Sequence, residues 1–328
     1  MAILVLGGAG YIGSHTVYEL IEAGRDVVVA DNLSTGFRAS VHPKARFYEL
    51  DIRDESALNS LFSNESIDGV IHFSAFSLVG ESMTNPLKYY DNNLYGTTVL
   101  LRSMLAHGVR DLVFSSTAAV YGEPETVPIP ENSPTIPTNC YVQTKLTIEQ
   151  MMAWVAKANG LRYVALRYFN ACGAHISVQI GEAHNPESHL IPIILQVPNG
   201  KRSHVSIYGE DYPTRDGTCV RDYIHVTDLA DAHILALDYL AAGGESTVFN
   251  LGNGTGFTVR EVIETAREVT GHAIPAESGE RRAGDPAQAR GLCRTRQGDI
   301  GLESPLPRPA RYNRYRVELA PVPSRRIR

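Results

Sequence analysis

The feature that most constrains the fold is a short apolar segment followed at once by closely spaced glycines. Residues 3–6 are Ile-Leu-Val-Leu, and residues 7–13 are Gly-Gly-Ala-Gly-Tyr-Ile-Gly. A buried strand that leads through a glycine turn into a helix is the first unit of many parallel α/β sheets. Glycine lets the backbone approach a pyrophosphate, and the helix N-terminus offers it unpaired N–H groups. The pattern predicts a dinucleotide site that includes Gly7, Gly10, Tyr11, Ile12 and Gly13.

Further apolar segments alternate with amphipathic ones along the first half of the chain. The sequence predicts strands at 3–6, 26–31, 69–73, 111–115 and 163–167, and helices through about residue 23, at 86–107 and at 141–159. Strands that alternate with helices form a parallel sheet covered on both faces. The predicted fold class is therefore α/β, with a Rossmann-like doubly wound parallel sheet.

The alternation fades from about Gly173, where glycine- and proline-containing loops begin. We predict that residues 1–172 form the dinucleotide-binding domain and that residues 173–288 form a smaller α/β substrate domain. A strand end followed by a helical pattern near 223–240 predicts that the chain returns there to the first domain.

Composition excludes several other classes of protein. With 43% apolar and 20% charged residues, the chain is too hydrophobic to be disordered. Its net charge of −6 argues against binding of nucleic acid through bulk charge. The longest early apolar run, residues 2–6, is too short to span a membrane or to form a signal peptide. The four cysteines have no close pairing and no metal-ligand spacing, which predicts reduced thiols, a cytoplasmic protein and no metal site.

Asp31 ends the second predicted strand, 18 residues after Gly13. A carboxylate at this position accepts hydrogen bonds from the adenosine ribose and repels a 2′-phosphate, so the sequence favours NAD over NADP. The alternative is an acidic helix cap or turn residue. Asp51 and Ile52 follow a third short strand, and we predict that they meet the adenine.

Tyr141 and Lys145 are four residues apart in a predicted helix, so they share one helix face. A tyrosine hydroxyl is a poor base at neutral pH, but a nearby ammonium and a positively charged nicotinamide would lower its pKa. The pair on its own is also typical of a solvated helix face. Its position after a strand of the dinucleotide domain favours a catalytic base with Lys145 as its partner.

The strand at 111–115 continues into Ser115-Ser116-Thr117. Ligands of open α/β sheets bind beyond the carboxyl ends of the strands. Thr117 is therefore placed to hydrogen-bond a substrate oxygen and to orient its proton. The alternative, a hydroxyl satisfied within the protein, applies more strongly to Ser115 and Ser116.

Several longer motifs in order resemble the UDP-glucose 4-epimerases, which are extended short-chain dehydrogenases/reductases. The motifs are GGAGYIGSH at 7–15, Asp31-Asn32, FSST at 114–117, the Tyr141 and Lys145 pair, RYFN at 167–170, VRDYIHV at 220–226 and RRAGD at 281–285. The resemblance covers about residues 1–288. It implies that Tyr141 is the base on the sugar 4-hydroxyl, with Lys145 as its pKa partner and Thr117 beside the 4-oxygen.

The resemblance also implies two sets of binding residues. The NAD pocket would include Asn32, Phe73, Ser74, Ala75, Ser77, Asn92, Tyr141, Lys145 and Phe169. The UDP-sugar would contact Thr117, Tyr141, Asn170, His189, Leu190, Tyr208, Arg221, Tyr223, Arg282 and Asp285. Ser77 stands where the family often has a cofactor-binding lysine, and His189 stands where some members have asparagine.

Two arginines near a sugar nucleotide also fit its diphosphate on physical grounds, since a guanidinium pairs with phosphate through two hydrogen bonds. Arg221 and Arg282 are the candidates, and surface ion pairing is the alternative for each.

The activity implied is interconversion of UDP-glucose and UDP-galactose in galactose metabolism, by transient oxidation at sugar C4 with tightly bound NAD, in a homodimer. A 4,6-dehydratase is disfavoured, because Thr117 is followed by Ala118-Ala119 instead of the acids that expel water. The alternatives kept open are epimerases of UDP-glucuronate or UDP-N-acetylhexosamine and a catalytically impaired NAD-binding protein. A residue that would set the size of the sugar pocket falls near Ala289.

Residues 289–328 differ from the rest of the chain. Residues 288–328 hold ten arginines, no lysine and three acidic residues, with prolines at 305, 307 and 309 that interrupt helix and strand. The resembling family continues instead with a Leu-Gly-Trp turn and an amphipathic helix, and reading one base out of frame restores both. We interpret 289–328 as an aberrant Arg/Pro-rich, frame-shifted tail. The alternative is a genuine basic tail, and resequencing of the coding DNA distinguishes the two.

Overall fold

The computed structural model describes residues 2–177, 179–282 and 286–291. Asp285 and residues 292–328, which include most of the predicted tail, lie outside the described residues. The strands are β1 (Ala2–Leu6), β2 (Val27–Asp31), β3 (Arg46–Glu49), β4 (Ile67–His72), β5 (Asp111–Ser115), β6 (Arg162–Tyr168), β7 (Asn170–Cys172), β8 (Val205–Tyr208), β9 (Val220–Arg221), β10 (Tyr223–His225), β11 (Thr247–Leu251), β12 (Phe257–Thr258), β13 (Ala276–Gly279) and β14 (Gln288–Ala289). The α-helices are α1 (Tyr11–Glu22), α2 (Glu55–Asn64), α3 (Val79–Thr84), α4 (Pro86–Tyr89), α5 (Gly96–Ala106), α6 (Cys140–Asn159), α7 (Leu190–Gln196), α8 (Val226–Ala241) and α9 (Val259–Thr270).

A seven-stranded parallel sheet in the order β11-β6-β5-β4-β1-β2-β3 forms the centre of the molecule. The chain builds outward from β1 in one direction through β2 and β3, and in the other through β4, β5 and β6. This reversal of strand order is the point where open α/β sheets bind ligands. The doubly wound parallel sheet predicted from the sequence is confirmed.

Each face of this sheet carries its own hydrophobic core, because side chains alternate along a strand. In β1, Leu4 and Leu6 join the core beneath α2, α5 and α6, whereas Ile3 and Val5 join the core beneath α1 and α8. All five residues of β1 are buried. A strand covered on both faces is continuously apolar, which is why β1 was recognisable from the sequence.

The predicted helix at 86–107 is interrupted in the structure. It runs from Pro86 to Ala106, but its middle, Tyr90–Tyr95, is a π-helical turn. The wider turn presents Asn92 and Asn93 as buried side chains. Sequence periodicity predicts a helix here without resolving one that locally widens.

The substrate side is built from short sheets. Strand β7 pairs with β10, β8 pairs with β13, and β9 lies between β12 and β14. The chain then returns to the main sheet through α8 and β11, and β11 pairs with β6 as the seventh strand. The returning segment thus extends past residue 240, because a five-residue strand that includes the polar residues Thr247 and Asn250 gave no clear apolar pattern. The domain boundaries themselves stay a prediction.

Two negative findings apply to the described part of the chain only. None of its helices is long and apolar enough to cross a membrane. Its three cysteines, Cys140, Cys172 and Cys219, are free.

Candidate active site

The glycine turn between β1 and α1 is packed too tightly for side chains at two positions. A Cβ on Gly7, where φ is +77°, would lie 2.7 Å from the backbone nitrogen of Ser74. A Cβ on Gly13 would lie 2.2 Å from the carbonyl oxygen of Gly7. Ser74 follows Phe73 at the end of β4, so the turn is pressed against the neighbouring strand exit. These two glycines are required by the protein's own packing.

Gly10 is different, because a Cβ there would meet only the Gly7 carbonyl oxygen, at an acceptable 3.4 Å. Gly10 is also the N-cap of α1, and it provides no side chain to accept hydrogen bonds from the first helical turn. No acidic residue stands in that turn. The N–H groups of Tyr11, Ile12 and Gly13 are thus left to an external acceptor, and the missing side chain leaves room for it.

Asp31 ends β2 as a buried carboxylate beside this turn. Its Oδ2 accepts a hydrogen bond from the Ala9 nitrogen at 3.0 Å, and its Oδ1 accepts one from the Leu33 nitrogen at 2.8 Å. Leu33 has φ +56°, a strained conformation for a branched side chain, and the Asp31 carboxylate stabilises it. Each oxygen keeps a further lone pair. Burial raises the pKa of Asp31, and the two backbone N–H groups oppose that rise.

Asp51 lies one strand further out, in a network of side chains. Its carboxylate accepts from Arg53 at 2.8 Å and from the Asn32 amide at 3.1 Å, and Arg53 also contacts Asp91. The Arg53 guanidinium holds the pKa of Asp51 well below its usual range. Ile52 is buried in the core beneath α2 and α5. The predicted adenine site therefore contains Asn32, Asp51 and Ile52 close together. The Asp51 carboxylate is already paired with Arg53.

The loop after β4 is fixed by an asparagine that sequence reasoning missed. The Asn93 side chain accepts from the Phe76 nitrogen at 2.9 Å and donates to the Phe76 carbonyl and to Thr144 of α6, each at 3.1 Å. Asn92, its buried neighbour, donates to Asn93 at 3.0 Å. Phe73, Ser74 and Ala75 are half-buried in this loop, and Ser77 is exposed. The π-helical turn thus ties the predicted NAD pocket to the catalytic helix.

Lys145 is buried one turn into α6, which begins after the Asn139 N-cap. Its Nζ donates to the Ser115 carbonyl at 2.7 Å, lies 4.8 Å from the centre of the Phe114 ring and lies 6.0 Å from the centre of the Tyr141 ring. One of its three donors is thus used, at the carboxyl end of β5. The structure brings Tyr141 and Lys145 to the same strand exit, as the sequence predicted.

The lysine by itself does not offset the burial of the Tyr141 hydroxyl. Burial raises the pKa of Tyr141, and the nearby Tyr168 and Tyr89 raise it further. Burial also lowers the pKa of Lys145 to about 7, although Glu149 opposes that shift. In the chain alone the lysine therefore does not produce a tyrosinate. A second positive charge at the site is required to favour the ionised form.

Thr117 follows β5 and caps a single 3-10 turn at Ala118–Tyr121. Its Oγ1 accepts from the Ala119 nitrogen at 3.2 Å, which leaves the hydroxyl proton free to be donated. Ser115 and Ser116 have internal partners, the Tyr168 hydroxyl and the Glu149 carboxylate respectively. Ser115 and Ser116 are thus satisfied within the protein, whereas the Thr117 proton remains available, as the sequence predicted.

Tyr141 packs in a small apolar cluster with Phe169, Ala118, Val120 and Leu146. Beneath it lies a buried polar network that sequence reasoning missed. Arg167 pairs with Glu149 at 2.5 Å and donates to the Tyr121 hydroxyl at 2.9 Å. The Tyr121 hydroxyl donates in turn to Asn250 of β11 at 2.8 Å. This network fixes α6 against the main sheet, and RYFN at 167–170 was its only sequence signal.

On the substrate side, Asn170 and Tyr223 are register partners in the β7–β10 pair. The Asn170 amide donates to the Asp222 carbonyl at 3.0 Å. Asp222 is fully buried, and its carboxylate accepts from the backbone nitrogens of Asn253 at 2.7 Å and Gly254 at 3.0 Å. The fully buried Asp222 was missed as a positioning residue, although it lies inside the VRDYIHV motif.

Arg221 lies in β9, and Arg282 lies in the segment that follows β13. Arg221 Nη1 donates to the carbonyls of Val220 and Pro286, both at 2.9 Å. Ala289, near the predicted size-setting position, pairs with Arg221 through β14 and β9. The Arg282 guanidinium stacks over the Tyr208 ring, 3.9 Å from its centre. Arg282 and Tyr208 therefore form one exposed platform, whereas Asp285 is outside the described residues.

His189 and Leu190 stand at the start of α7. Leu190 packs against the small core that contains Ile194 and Ile207. The His189 imidazole is half-exposed and lies 2.9 Å from Glu182 and 3.0 Å from Glu187. Its side chain therefore points to two carboxylates, which the sequence did not predict.

The carboxyl edge of the sheet fits a dinucleotide. The end of β1 leads to the open space at Gly10 and the unpaired first turn of α1. The Asp31 carboxylate lies at the end of β2, and the Lys145 ammonium lies at the end of β5. A dinucleotide requires N–H donors for its phosphates, a carboxylate acceptor for the adenosine ribose and a donor for the nicotinamide ribose. The fold and the Tyr141–Lys145–Thr117 group together define an NAD(P)-dependent enzyme acting on an alcohol or a ketone.

Comparison with known proteins makes the class specific. The profile of the NAD dependent epimerase/dehydratase family matches residues 3–252, so the chain belongs to that family. It is 59% identical to the UDP-glucose 4-epimerase of Lacticaseibacillus casei over 287 residues, which cover 88% of this chain and 87% of the relative.

Solved structures agree. The UDP-glucose 4-epimerase of Brucella ovis, in complex with NAD, superposes with a TM-score of 0.89 and 45% identity over 92% of each chain. The enzyme of Bifidobacterium longum, in complex with NAD+ and UDP, gives a TM-score of 0.88 and 39% identity over 97% of each chain.

Proposed function

We propose that the chain interconverts UDP-glucose and UDP-galactose with tightly bound NAD, as an isomerase of galactose metabolism. One observation carries the assignment: Tyr141, Lys145 and Thr117 converge at the exit of β5, on the same edge of the sheet as the glycine turn and Asp31. Identities of 47–59% to curated UDP-glucose 4-epimerases over most of the chain support the same activity.

Tyr141 accepts the proton of the sugar 4-hydroxyl. Because burial raises its pKa, the tyrosinate requires positive charge beyond that of Lys145. NAD, when bound, supplies the hydride acceptor and a positively charged nicotinamide ring. The free donors of Lys145 would hold the nicotinamide ribose, and Asp31 would hold the adenosine ribose.

Thr117 orients the reacting oxygen. Its hydroxyl accepts from the Ala119 nitrogen and donates toward the 4-oxygen, so its proton points in one direction. Because the Thr117 hydroxyl is fixed in the protein while the sugar turns, it can meet the 4-oxygen when either face of the sugar is presented.

The UDP part anchors the substrate away from C4. Tyr208 and Arg282 offer a stacked platform, Arg221 lies in β9, and Asn170 and Tyr223 pair across β7 and β10. Binding energy from a remote group leaves the hexose free to turn. Inversion at one carbon requires such freedom.

The test is steady-state turnover of UDP-galactose by the purified chain without added NAD, coupled to UDP-glucose detection. Turnover, together with release of NAD and not NADP on denaturation, is the expected result. Failure to turn over UDP-galactose while UDP-glucuronate or UDP-N-acetylgalactosamine is epimerised would reassign the substrate. A chain that holds NAD and epimerises none of the three is the impaired binding protein kept open above.

We further propose a cytoplasmic homodimer. Support comes from exposed apolar side chains on α3–α6, namely Met83, Leu87, Tyr95 and Trp154, of which Leu87 is 77% and Trp154 71% exposed. The free thiols of Cys140, Cys172 and Cys219 fit a reducing compartment. Light scattering should give twice the chain mass for the wild type and the chain mass for a Leu87→Asp, Trp154→Ser variant.

A further inference from the structure

The loop between β7 and α7 brings together four side chains, of which only His189 has a role predicted from the sequence. Glu182, His184, Glu187 and His189 lie within eight residues of each other in sequence. One potential ligand atom from each of them lies within 4.8 Å of all the others. We propose that these four side chains bind one zinc ion.

The separations of the ligand atoms fit a tetrahedral site. His184 Nδ1 lies 3.0 Å from Glu182 Oε1 and 3.9 Å from Glu187 Oε2. His189 Nδ1 lies 2.9 Å from the same Glu182 oxygen and 3.0 Å from Glu187 Oε1. A tetrahedron with metal–ligand bonds of about 2.0–2.1 Å has edges of about 3.3 Å, so small movements would place the ion.

The chemistry of the donors selects the metal. Two imidazoles with two carboxylates suit zinc, whereas magnesium and calcium prefer oxygen ligands alone. Both histidines present the same nitrogen, Nδ1, to one carboxylate oxygen. Four groups that converge on a common centre resemble a coordination shell more than separate ion pairs.

Burial makes a cation at this position favourable. The side chains of Glu182 and Glu187 are only 8% and 9% exposed. Within the described part of the chain, the basic groups within ion-pair distance of these carboxylates are the two histidines. Two adjacent buried carboxylates repel each other, and a divalent cation offsets both charges at once.

The position of the site indicates a structural role. The Tyr11 ring, at the start of α1, meets the His184 ring edge-on with centres 5.9 Å apart, and the Tyr11 hydroxyl donates to the Gly173 carbonyl at 2.7 Å. His189 is the N-cap residue of α7. An ion with four protein ligands has no open position, so it would fix the segment 182–189, and with it the His184 ring against Tyr11, without entering the reaction. The His189 imidazole, predicted at the uracil site, would then be a metal ligand.

The test uses the untagged full-length chain, purified without chelator. Elemental analysis should find about one zinc ion per chain, and Co²⁺ added to the metal-free protein should give the intense visible spectrum of a tetrahedral site. Zinc should also raise the Tm. Competition with a chromophoric chelator should show at least a 10-fold loss of affinity in His184→Asn and in Glu187→Gln, since even outer-shell changes cost about 10- to 100-fold.

Two further variants separate this site from others. His272→Asn changes an exposed histidine after α9 and should leave zinc affinity as in the wild type. His175→Asn should do the same, although His175 lies 3.5 Å from Glu19 and 3.9 Å from Glu22 in a second group of candidate ligands. A wild-type chain without zinc and without a tetrahedral Co²⁺ spectrum would overturn the proposal, as would zinc lost in His175→Asn but kept in His184→Asn. Because elemental analysis does not depend on epimerase activity, the outcome is independent of the proposed function.

Discussion

The cofactor half and the substrate half of the site are built in different ways. On the cofactor side, one continuous segment from Gly7 to Gly13 supplies backbone N–H groups, and the buried Asp31 fixes its shape through the Ala9 nitrogen. On the proposed substrate side, five separate segments would each supply one or two side chains. Tyr208, for example, is 40% exposed and is positioned by the stacked Arg282.

This difference predicts different responses to mutation. A site formed by backbone N–H groups requires that certain side chains be absent. Its most sensitive positions are therefore the packed glycines, Gly7 and Gly13, and the Asp31 carboxylate. A site of exposed side chains depends on individual contacts, and each contact contributes modestly because water competes for it. The proposed catalytic residues of α6 lie between the two halves, so their substitution should affect the reaction more than the binding of either ligand.

The largest effect is expected where the halves meet. Tyr141→Phe keeps the ring in its apolar cluster and removes only the proton acceptor. Epimerase kcat should fall by at least ~10²-fold, the ordinary contribution of a general base, while purified protein retains NAD. Tyr163→Phe, at the opposite end of the sheet, is the matched control and should keep wild-type kcat. Activity within a few-fold of wild type in Tyr141→Phe would remove Tyr141 from the mechanism.

Lys145→Met should lower activity and raise stability together. The lysine has a pKa of about 7 in the folded chain and 10.5 when unfolded, so the unfolded state binds more protons between these values. Below that range the buried ammonium destabilises the fold, and this cost fades as the pH rises toward about 10.

Denaturant unfolding of cofactor-stripped protein measures this effect. Lys145→Met should be more stable than wild type at pH 7, and the difference should shrink by pH 10. Its kcat should be about 10- to 10²-fold lower. A less stable variant at pH 7 would contradict the burial cost assigned to the ammonium.

Asp31→Ala should break the cofactor half alone. Loss of a charged acceptor for the ribose should weaken NAD retention about 10- to 10²-fold and reduce discrimination against NADP. Asp26→Ala, just before the other end of β2, removes an exposed carboxylate paired with Arg46 and should retain NAD normally. Equilibrium dialysis with both dinucleotides measures the effect, and unchanged retention in Asp31→Ala would show that the backbone suffices.

The smallest effect is expected from Arg282→Ala. Removal of one exposed guanidinium from the Tyr208 platform should raise KM for UDP-galactose about 10-fold with little change in kcat, because the contact is remote from C4. Arg281→Ala, which loses an exposed pair with Asp211, should leave KM unchanged. Equal KM in both variants would move the uridine site elsewhere.

The sequence alone could predict elements whose cause is local. Five apolar segments specified five buried parallel strands, and the glycine turn was visible because its glycines directly follow one of these segments. The spacing of Tyr141 and Lys145 on one helix face is likewise a local property. The family resemblance extended this to the substrate residues, whose roles stay proposals.

Other features depend on contacts between distant segments, and only the tertiary structure decided them. Asn93 contacts both Phe76 and Thr144 because a π-helical turn widens a helix that periodicity describes as regular. Strand β11 completes the sheet through pairing with β6, 79 or more residues earlier in the chain. The pKa values of Tyr141 and Lys145 depend on burial by many groups, so the i,i+4 spacing identified the pair but not the desolvation that shifts both pKa values in the chain alone. Spacing along a chain records neighbours within one element, whereas desolvation and charge are set by everything that packs around a side chain.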